Sequence, residues 1–355
     1  MNPSMNIAMS MAPEWTTALL AWPVILAETL IFGSAILCVM LRLSSAGRTA
    51  ASDSLARALA SWWRMFALIA AALSLLMFVD QVAGMADVSW RGALPLLSEV
   101  LARTQGGHIW EWRLPVTAGL LIAAWVPMCE TARAPVLSVF CAALFLAGSM
   151  MSHAIDFGVT AIAVRFIHTL AAGVWAGALF GYWVAARLTI AEDHLDSQCA
   201  RTLSKLATWS VALLIASGVY LAYEGLGHSL YHLRYSSYGR VLCFKVELFA
   251  LVLAVGAYNR VYLIPTIEQA AARVSLLRNV SAESLMIVGV IGLAALLAAT
   301  PPARMSMTTS KSKNLLRHAE LVFLSKPHQV SNFSLVKMRT PRGENLVVRD
   351  ARVAR

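Results

Sequence analysis

The sequence predicts an all-α fold, a polytopic membrane helix bundle with about eight transmembrane helices. Of its 355 residues, 59% are hydrophobic and only 14% are charged, whereas a soluble domain carries about 25% charged residues. The apolar residues are collected into runs of helical length, separated by short connections that hold the charges, prolines and glycines. In lipid each backbone polar group must be satisfied within the chain, so we expect these runs to be helices.

The positive charge is concentrated at the end of the chain. The net charge is +10, but residues 304–355 contain eleven Lys or Arg against the acidic residues Glu320, Glu344 and Asp350. Eight of the ten net charges therefore belong to this tail, and the apolar part is nearly neutral. We predict the lipid bilayer as partner and no nucleic acid. Residues 303–355 lack sustained periodicity and are predicted to be a basic, disordered tail.

The chain before the tail is divided into a leader and a membrane domain. Residues 1–18 are rich in methionine and form a predicted periplasmic leader. Residues 19–302 form the predicted eight-span domain. The first span is expected to be retained, because it is long enough to cross a bilayer and no Lys or Arg precedes Arg42. The predicted spans are 19–43, 62–85, 114–128, 135–152, 160–188, 206–223, 241–263 and 282–299.

The connections between the spans predict the orientation. The four inner connections contain eleven Lys or Arg, and the outer ones contain seven. Basic residues favour the cytoplasmic side, so we expect a periplasmic amino terminus in a bacterial inner membrane. Residues 87–112 are too polar to span, and Trp110 and Trp112 suggest a surface helix at the periplasmic interface. A tight turn makes spans three and four antiparallel neighbours.

Span five is predicted to lie at the centre of the bundle. Its glycines Gly173, Gly177 and Gly181 recur every four residues, a pattern that allows two helix backbones to approach closely. At about 100° per residue this stripe points away from His168. Both faces of the span are therefore expected to contact other helices.

Thioether and imidazole side chains are collected at the predicted periplasmic side. Met150, Met151 and His153 end span four, and His168 lies inside span five. These ligand types suit Cu(I), and a histidine within a membrane span is a candidate functional residue. His228 and His232 lie four residues apart in an outer connection, where one helical turn would place both rings on one face. We predict these six residues as metal ligands.

Several segments in the second half resemble one known family, copper resistance protein D. They are SHA at 152–154, IHTLAAGVWAGAL at 167–179, YGRVLCFK at 238–245, NRVYLIP at 259–265, LRNVSAES at 277–284 and TPP at 300–302. The resemblance covers residues 149–302, and the first half agrees in layout only. It implies an eight-span inner-membrane protein implicated in moving copper, in which His153 and His168 correspond to the family's motif histidines. The family usually has an acidic residue where this chain has Arg165, a charge that would repel a cation.

Two functions remain open from the sequence. The leading hypothesis is a protein that imports or senses copper, is not an enzyme, and receives the ion from a periplasmic copper carrier. No nucleotide-binding loop or phosphorylation sequence indicates an ATP-driven pump. The alternative is a cytochrome that binds haem b through two histidines on neighbouring spans and passes electrons from quinol to an acceptor. The different predicted depths of His153 and His168 disfavour that pairing.

Overall fold

The structure, a computed structural model, describes residues 15–44, 49–188, 193–267, 269–303, 333–340 and 343–350. The predicted leader up to residue 14 and most of the basic tail lie outside these residues. The chain divides into two units, residues 1–303 and 304–355. The first unit contains the membrane helices and every predicted metal ligand.

The first unit is built from eleven α-helices in its described residues, which confirms the predicted all-α fold. They are α1 (Trp15–Ser44), α2 (Thr49–Ala86), α3 (Trp90–Ala93), α4 (Leu97–Arg103), α5 (Gln105–Trp125), α6 (Glu130–Met150), α7 (Val159–Leu188), α8 (Asp193–Gly225), α9 (Tyr231–Tyr235), α10 (Ser237–Tyr258) and α11 (Ala270–Ala298). Short 3₁₀ turns cover Leu94–Leu96, His153–Phe157 and Ile264–Thr266, and a π-helix covers Asn259–Leu263.

Seven of the described helices are long and apolar enough to cross a membrane: α1, α2, α6, α7, α8, α10 and α11. The predicted third span corresponds to α5, which has 21 residues and contains His108, Glu111 and Arg113 in its first half. Because of these polar residues, α5 differs in composition from the seven apolar helices. A polytopic bundle is therefore established, and the count of eight spans stays a prediction.

Several helix boundaries differ from the predicted ones. Helix α2 begins at Thr49 where the span is predicted from 62, and α8 begins at Asp193 where the span is predicted from 206. The last span was expected to begin at residue 282, but α11 begins at Ala270 and includes Arg273 and Arg278. Residues 105–112, predicted as part of a surface segment, instead form the beginning of α5, where Gly106 and Gly107 lie in the first turn. There the Thr104 hydroxyl accepts a hydrogen bond from the Gly107 amide at 2.8 Å. A Cβ at Gly107 would lie 2.0 Å from the Val100 carbonyl, so this tight entry requires glycine.

The predicted centre of the bundle is confirmed, because α7 packs against α1 on one side and α8 on the other. At the α1–α7 crossing, a Cβ at Gly177 would lie 2.3 Å from the Thr29 carbonyl, and one at Gly33 would lie 2.1 Å from the Gly173 carbonyl. The backbones approach this closely only because both positions lack side chains. Helix α1 is equally central, since it also packs against α2, α6 and α11.

A buried ion pair joins three helices of the bundle. Arg113 of α5 donates to Glu28 of α1 at 3.1 Å and to the Leu144 carbonyl of α6 at 3.4 Å. Both charged side chains are almost completely buried. Because a buried charge is tolerated when a partner neutralises it, this pair accounts for two of the charges inside the bundle.

The second unit contains two antiparallel strands, β1 (Phe333–Thr340) and β2 (Gly343–Asp350), paired from Phe333 with Asp350 to Thr340 with Gly343. The structure differs here from the predicted disorder. Valine in both segments and phenylalanine in the first favour strands, and only two residues connect the segments. The remaining residues of the tail lie outside the described part.

Candidate functional site

The predicted ligands lie at one end of the bundle, where α6 and α8 end and α7 and α10 begin; we call it the histidine end. Met150 is the last residue of α6, and His153 opens the following 3₁₀ turn. His228 and His232 lie in the connection from α8 to α10. His168 is nine residues into α7, about 14 Å from the start of the helix at 1.5 Å per residue.

The ring of His168 is oriented by a serine on the neighbouring helix. Its Nδ1 lies 2.9 Å from the Ser217 hydroxyl of α8. The single hydroxyl proton of Ser217 is donated to the Leu213 carbonyl within its own helix, so the serine oxygen can only accept from the ring. Nδ1 then carries the ring proton, and Nε2 keeps the lone pair that a metal ligand needs.

Glycine makes room for this ring. A Cβ at Gly218 would lie 3.4 Å from Cε1 of His168, so a larger side chain there would press on the imidazole. Two turns further along the same face of α7, Trp175 packs edge-on against Phe249 of α10, with ring centroids 5.4 Å apart. The histidine is therefore held where α7 meets α8, within reach of α10.

Two basic side chains surround the histidine. Arg165 of α7 and Lys245 of α10 are close enough for their charges to act on the imidazole, and Tyr238 lies within the same reach of Arg165. Neither cation has an ion-pair partner among the described residues. Lys245 lies inside α10, and its charge acts on the imidazole of His168. An unpaired basic pair opposes tight binding of a cation at His168.

Met150, Met151 and His153 have different surroundings from His168. Met151 packs against a separate apolar cluster that includes Phe78, Val82 and Trp110. His153 follows Ser152, whose hydroxyl accepts from the amide of Ala154 at 3.3 Å. The structure therefore places these residues at the same end of the bundle as His168, with Met151 turned toward α2 and α5.

His228 and His232 do not share a helical face, which corrects the spacing argument. His228 has a left-handed backbone, with φ of 64°, and precedes α9. Its ring stacks on Tyr223 with centroids 4.5 Å apart, and Nε2 lies 3.2 Å from the Glu224 carboxylate. His232 donates from Nδ1 to the Leu226 carbonyl at 3.0 Å, which leaves its Nε2 as an acceptor.

No group of three or more His, Cys, Asp or Glu side chains is placed to hold a metal ion in the part of the chain that the structure describes. Sequence reasoning missed Ser217 and the position of Lys245. A lysine inside an apolar run was the available signal for Lys245, whereas an ordinary serine in a helix gives none.

Comparison with known proteins identifies the family to which the chain belongs. A sequence profile described as copper resistance protein D-like, N-terminal domain, matches residues 11–158, and one described as copper resistance protein D matches residues 197–297. The chain belongs to the copper resistance protein D family. The first half thus agrees with the family in sequence, beyond the predicted range of 149–302. Residues 159–196, which include His168, lie between the two matched stretches.

A relative supports the same family. Copper resistance protein D of Pseudomonas syringae pv. tomato is 26% identical over 231 residues, which cover 61% of this chain and 72% of the relative. No solved structure matches the chain. This member of the family is therefore a multi-pass membrane protein related to copper resistance.

The haem alternative has no support from the family or the geometry. Among the described residues, the groups found around His168 are Ser217, the Leu214 backbone, Gly218, Arg165 and Lys245, and none of them is a second histidine.

Proposed function

We propose that this protein moves copper ions across the bacterial cytoplasmic membrane as a carrier without enzymatic activity. The observation that supports this proposal most directly is the hydrogen bond between the Ser217 hydroxyl and Nδ1 of His168. This hydrogen bond leaves the lone pair of Nε2 available to bind a metal ion inside the helix bundle, and the family of the chain is named for copper resistance. A second group that fixes the ring tautomer is typical of metal-binding histidines.

In this proposal the ion enters at the histidine end as Cu(I), delivered by a periplasmic copper carrier. Met150, Met151, His153, His228 and His232 are the proposed entry ligands, and His168 is the ligand within the bundle. Thioether and imidazole groups suit Cu(I). Transport requires each site to bind strongly enough for entry and weakly enough for release, which single ligands used in succession provide.

The basic residues near His168 fit transient binding. A cation at Nε2 would be repelled by Arg165 and Lys245, so its residence there is short. The same charges favour loss of the ion to the next ligand over its retention. This arrangement suits a carrier better than a storage site.

The proposal is tested by two histidine variants. We expect His168→Ala to reduce Cu(I) uptake per inserted molecule at least fivefold, and His232→Ala to reduce it by less than about twofold. His232 lies in the connection between α8 and α10, where water can replace it, but a desolvated ion within the bundle depends on the few protein ligands in reach. Uptake is measured with purified protein in liposomes under reducing conditions.

Protein abundance distinguishes a ligand from a packing residue. If His168 only satisfied a hydrogen bond, its loss would cost about 0.6 kcal/mol, the average for interhelical hydrogen bonds in membranes. Ser217→Ala removes that bond but keeps the imidazole, so we expect it to reduce uptake per molecule less than His168→Ala does. Equal uptake per molecule in wild type and His168→Ala would remove His168 from the copper path.

A further inference from the structure

A second polar cluster lies away from the histidine end, where α10 meets α11. Glu283 of α11 is only 3% exposed and Asn259 is 4% exposed. The Asn259 amide donates to one carboxylate oxygen of Glu283, and the Asn279 amide donates to the carbonyl oxygen of Asn259 at 2.7 Å. The three side chains form a directed relay that ends on the carboxylate.

The carboxylate of Glu283 has no cationic partner. No Lys, Arg or His in the described part of the chain lies within ion-pair distance of it. An isolated carboxylate in an apolar bundle costs far more free energy when ionised than one paired as Glu28 is. A buried acidic residue in a membrane helix is therefore expected to hold a neutralising cation.

The other charged side chains on the helices packed against α11 do not pair with Glu283 in the described part of the chain. Lys245 of α10 and Arg165 of α7 act on His168 at the histidine end. Glu28 of α1 pairs with Arg113, at 3.1 Å. Arg187 of α7 stacks over a tryptophan ring, and Arg260 of the π-helix binds serine and threonine side chains of α8. The charge of Glu283 is thus left for a small ligand to neutralise.

The number of free oxygen atoms favours a proton over a metal ion. Asn259 uses its amide on Glu283 and its carbonyl oxygen on Asn279, so beyond Asn259 the relay contributes only the two carboxylate oxygens and the Asn279 carbonyl oxygen. The other carboxylate oxygen, Oε2, faces Gly256, where a Cβ would lie 3.7 Å away. Hard metal ions take about six oxygen ligands, whereas a proton needs one oxygen lone pair.

The local backbone is also unusual. Asn259 begins the π-helix Asn259–Leu263, which interrupts the regular hydrogen bonding at the end of α10. Single π-helical turns within helices occur frequently at functional sites. The amide that orients Glu283 is therefore attached to a segment whose hydrogen-bond ladder differs from that of the helix before it.

We propose that Glu283 binds a proton, and that loading and release of this proton couple proton movement to copper movement. The proton is taken from water on one side of the membrane and returned to water on the other, and the carboxylate is regenerated. This inference rests on the proposed copper function and adds the coupling ion and its residue.

Infrared spectroscopy tests proton binding without copper. Difference spectra of the full-length protein in lipid, recorded between two pH values in H₂O and D₂O, should contain a carbonyl band of a protonated carboxyl group. We expect Glu283→Gln to lack this band and Asn259→Ala to shift it, because the amide donates to the same group. The exposed Glu247 of α10 provides the control, and Glu247→Gln should keep the band.

Liposome transport tests the coupling. One-for-one coupling gives about a tenfold change in the copper concentration ratio per unit of pH difference, which is 1.36 kcal/mol. We expect that response in wild type and Glu247→Gln, and its loss in Glu283→Gln while copper exchange at equal pH continues.

The possible outcomes distinguish the proton-coupling proposal from the proposed copper function. A pH response in Glu283→Gln equal to wild type would overturn the coupling but leave copper transport standing. A wild type that moves no copper would overturn the proposed function, and the infrared band would still decide whether Glu283 holds a proton. If Glu283→Gln does not insert, an unshifted band in Asn259→Ala overturns the inference.

Discussion

The tautomer of His168 depends on which atom accepts the hydrogen bond that the Ser217 hydroxyl donates. Ser217 donates to the Leu213 carbonyl, as serines in helices commonly do, and is left with lone pairs that face Nδ1. A single side chain on another helix thereby makes Nε2 the ligand atom. Arg165 then sets the charge of the surroundings, since it precedes His168 by three residues on the same helix.

Replacing Arg165 should strengthen copper binding. Two unit charges about 8 Å apart interact by about 2 kcal/mol at an effective dielectric constant of about 20, and water lowers this. We therefore expect Arg165→Gln to lower the Kd for Cu(I) by up to about tenfold. Competition with a Cu(I) chelator, using purified protein, measures this constant.

Arg240 is the matched control, because it is an exposed arginine on α10 whose guanidinium donates to the nearby Ser237 hydroxyl. Arg240→Gln should leave the Kd within about twofold. An unchanged Kd in Arg165→Gln would show that this charge does not act on the copper path.

The helices α1 and α7 determine the packing of the bundle. They cross through Gly33 and Gly177, with backbone atoms in direct contact. Each helix then packs against further helices on its other faces, so α7 can present His168 to α8 while its glycines face α1. The glycine contact and the histidine site are thus opposite faces of one helix.

The crossing predicts a contrast between two glycine substitutions. Gly177→Ala should lower the free energy of unfolding by about 1–3 kcal/mol, the usual cost of overpacking, because its Cβ would meet the Thr29 carbonyl. At Gly84 of α2 a Cβ would meet nothing within 4 Å. Gly84→Ala should raise stability by about 0.5–1 kcal/mol.

Denaturant unfolding in detergent micelles, monitored by tryptophan fluorescence, compares these two variants. A Gly177→Ala protein as stable as Gly84→Ala would show that the two helices do not touch at this point.

At the scale of the whole molecule, both proposals depend on orientation. The histidine end must face the periplasm if a periplasmic carrier delivers copper, and Glu283 then lies further along the bundle. The excess of basic residues in the inner connections carries this prediction. Each helix that crosses the membrane moves the chain to its other side. Whether the polar helix α5 crosses therefore also affects the predicted orientation.

Cysteine labelling tests the orientation. After the native cysteines are replaced, Ser229→Cys should react with a membrane-impermeant thiol reagent added to the periplasmic side, and Leu195→Cys should react only after the cells are opened. We expect this pattern because Leu195 lies in the first turn of α8 and Ser229 follows the other end of the same helix. Labelling of Leu195→Cys alone in intact cells would reverse the assignment of both ends.

The fold class, the central position of α7 and the glycine contact could be predicted from the sequence. Hydrophobic runs report burial in lipid directly, and a glycine every fourth residue marks one face of a helix. These are local patterns, since residues four apart along a helix are neighbours whatever the rest of the chain does. The placement of His168 within span five follows from the same kind of pattern.

Contacts between distant segments required the folded structure. Ser217 lies 49 residues from His168, and Glu283 meets Asn259 only because a turn brings α11 back along α10. The start of α11 was predicted too late, which put Glu283 near a helix end instead of in its middle. His228 and His232 appeared paired by spacing, but the left-handed backbone at His228 separates them. Spacing predicts a shared face only where the helix is continuous, and which segments meet across helices depends on how all of them pack.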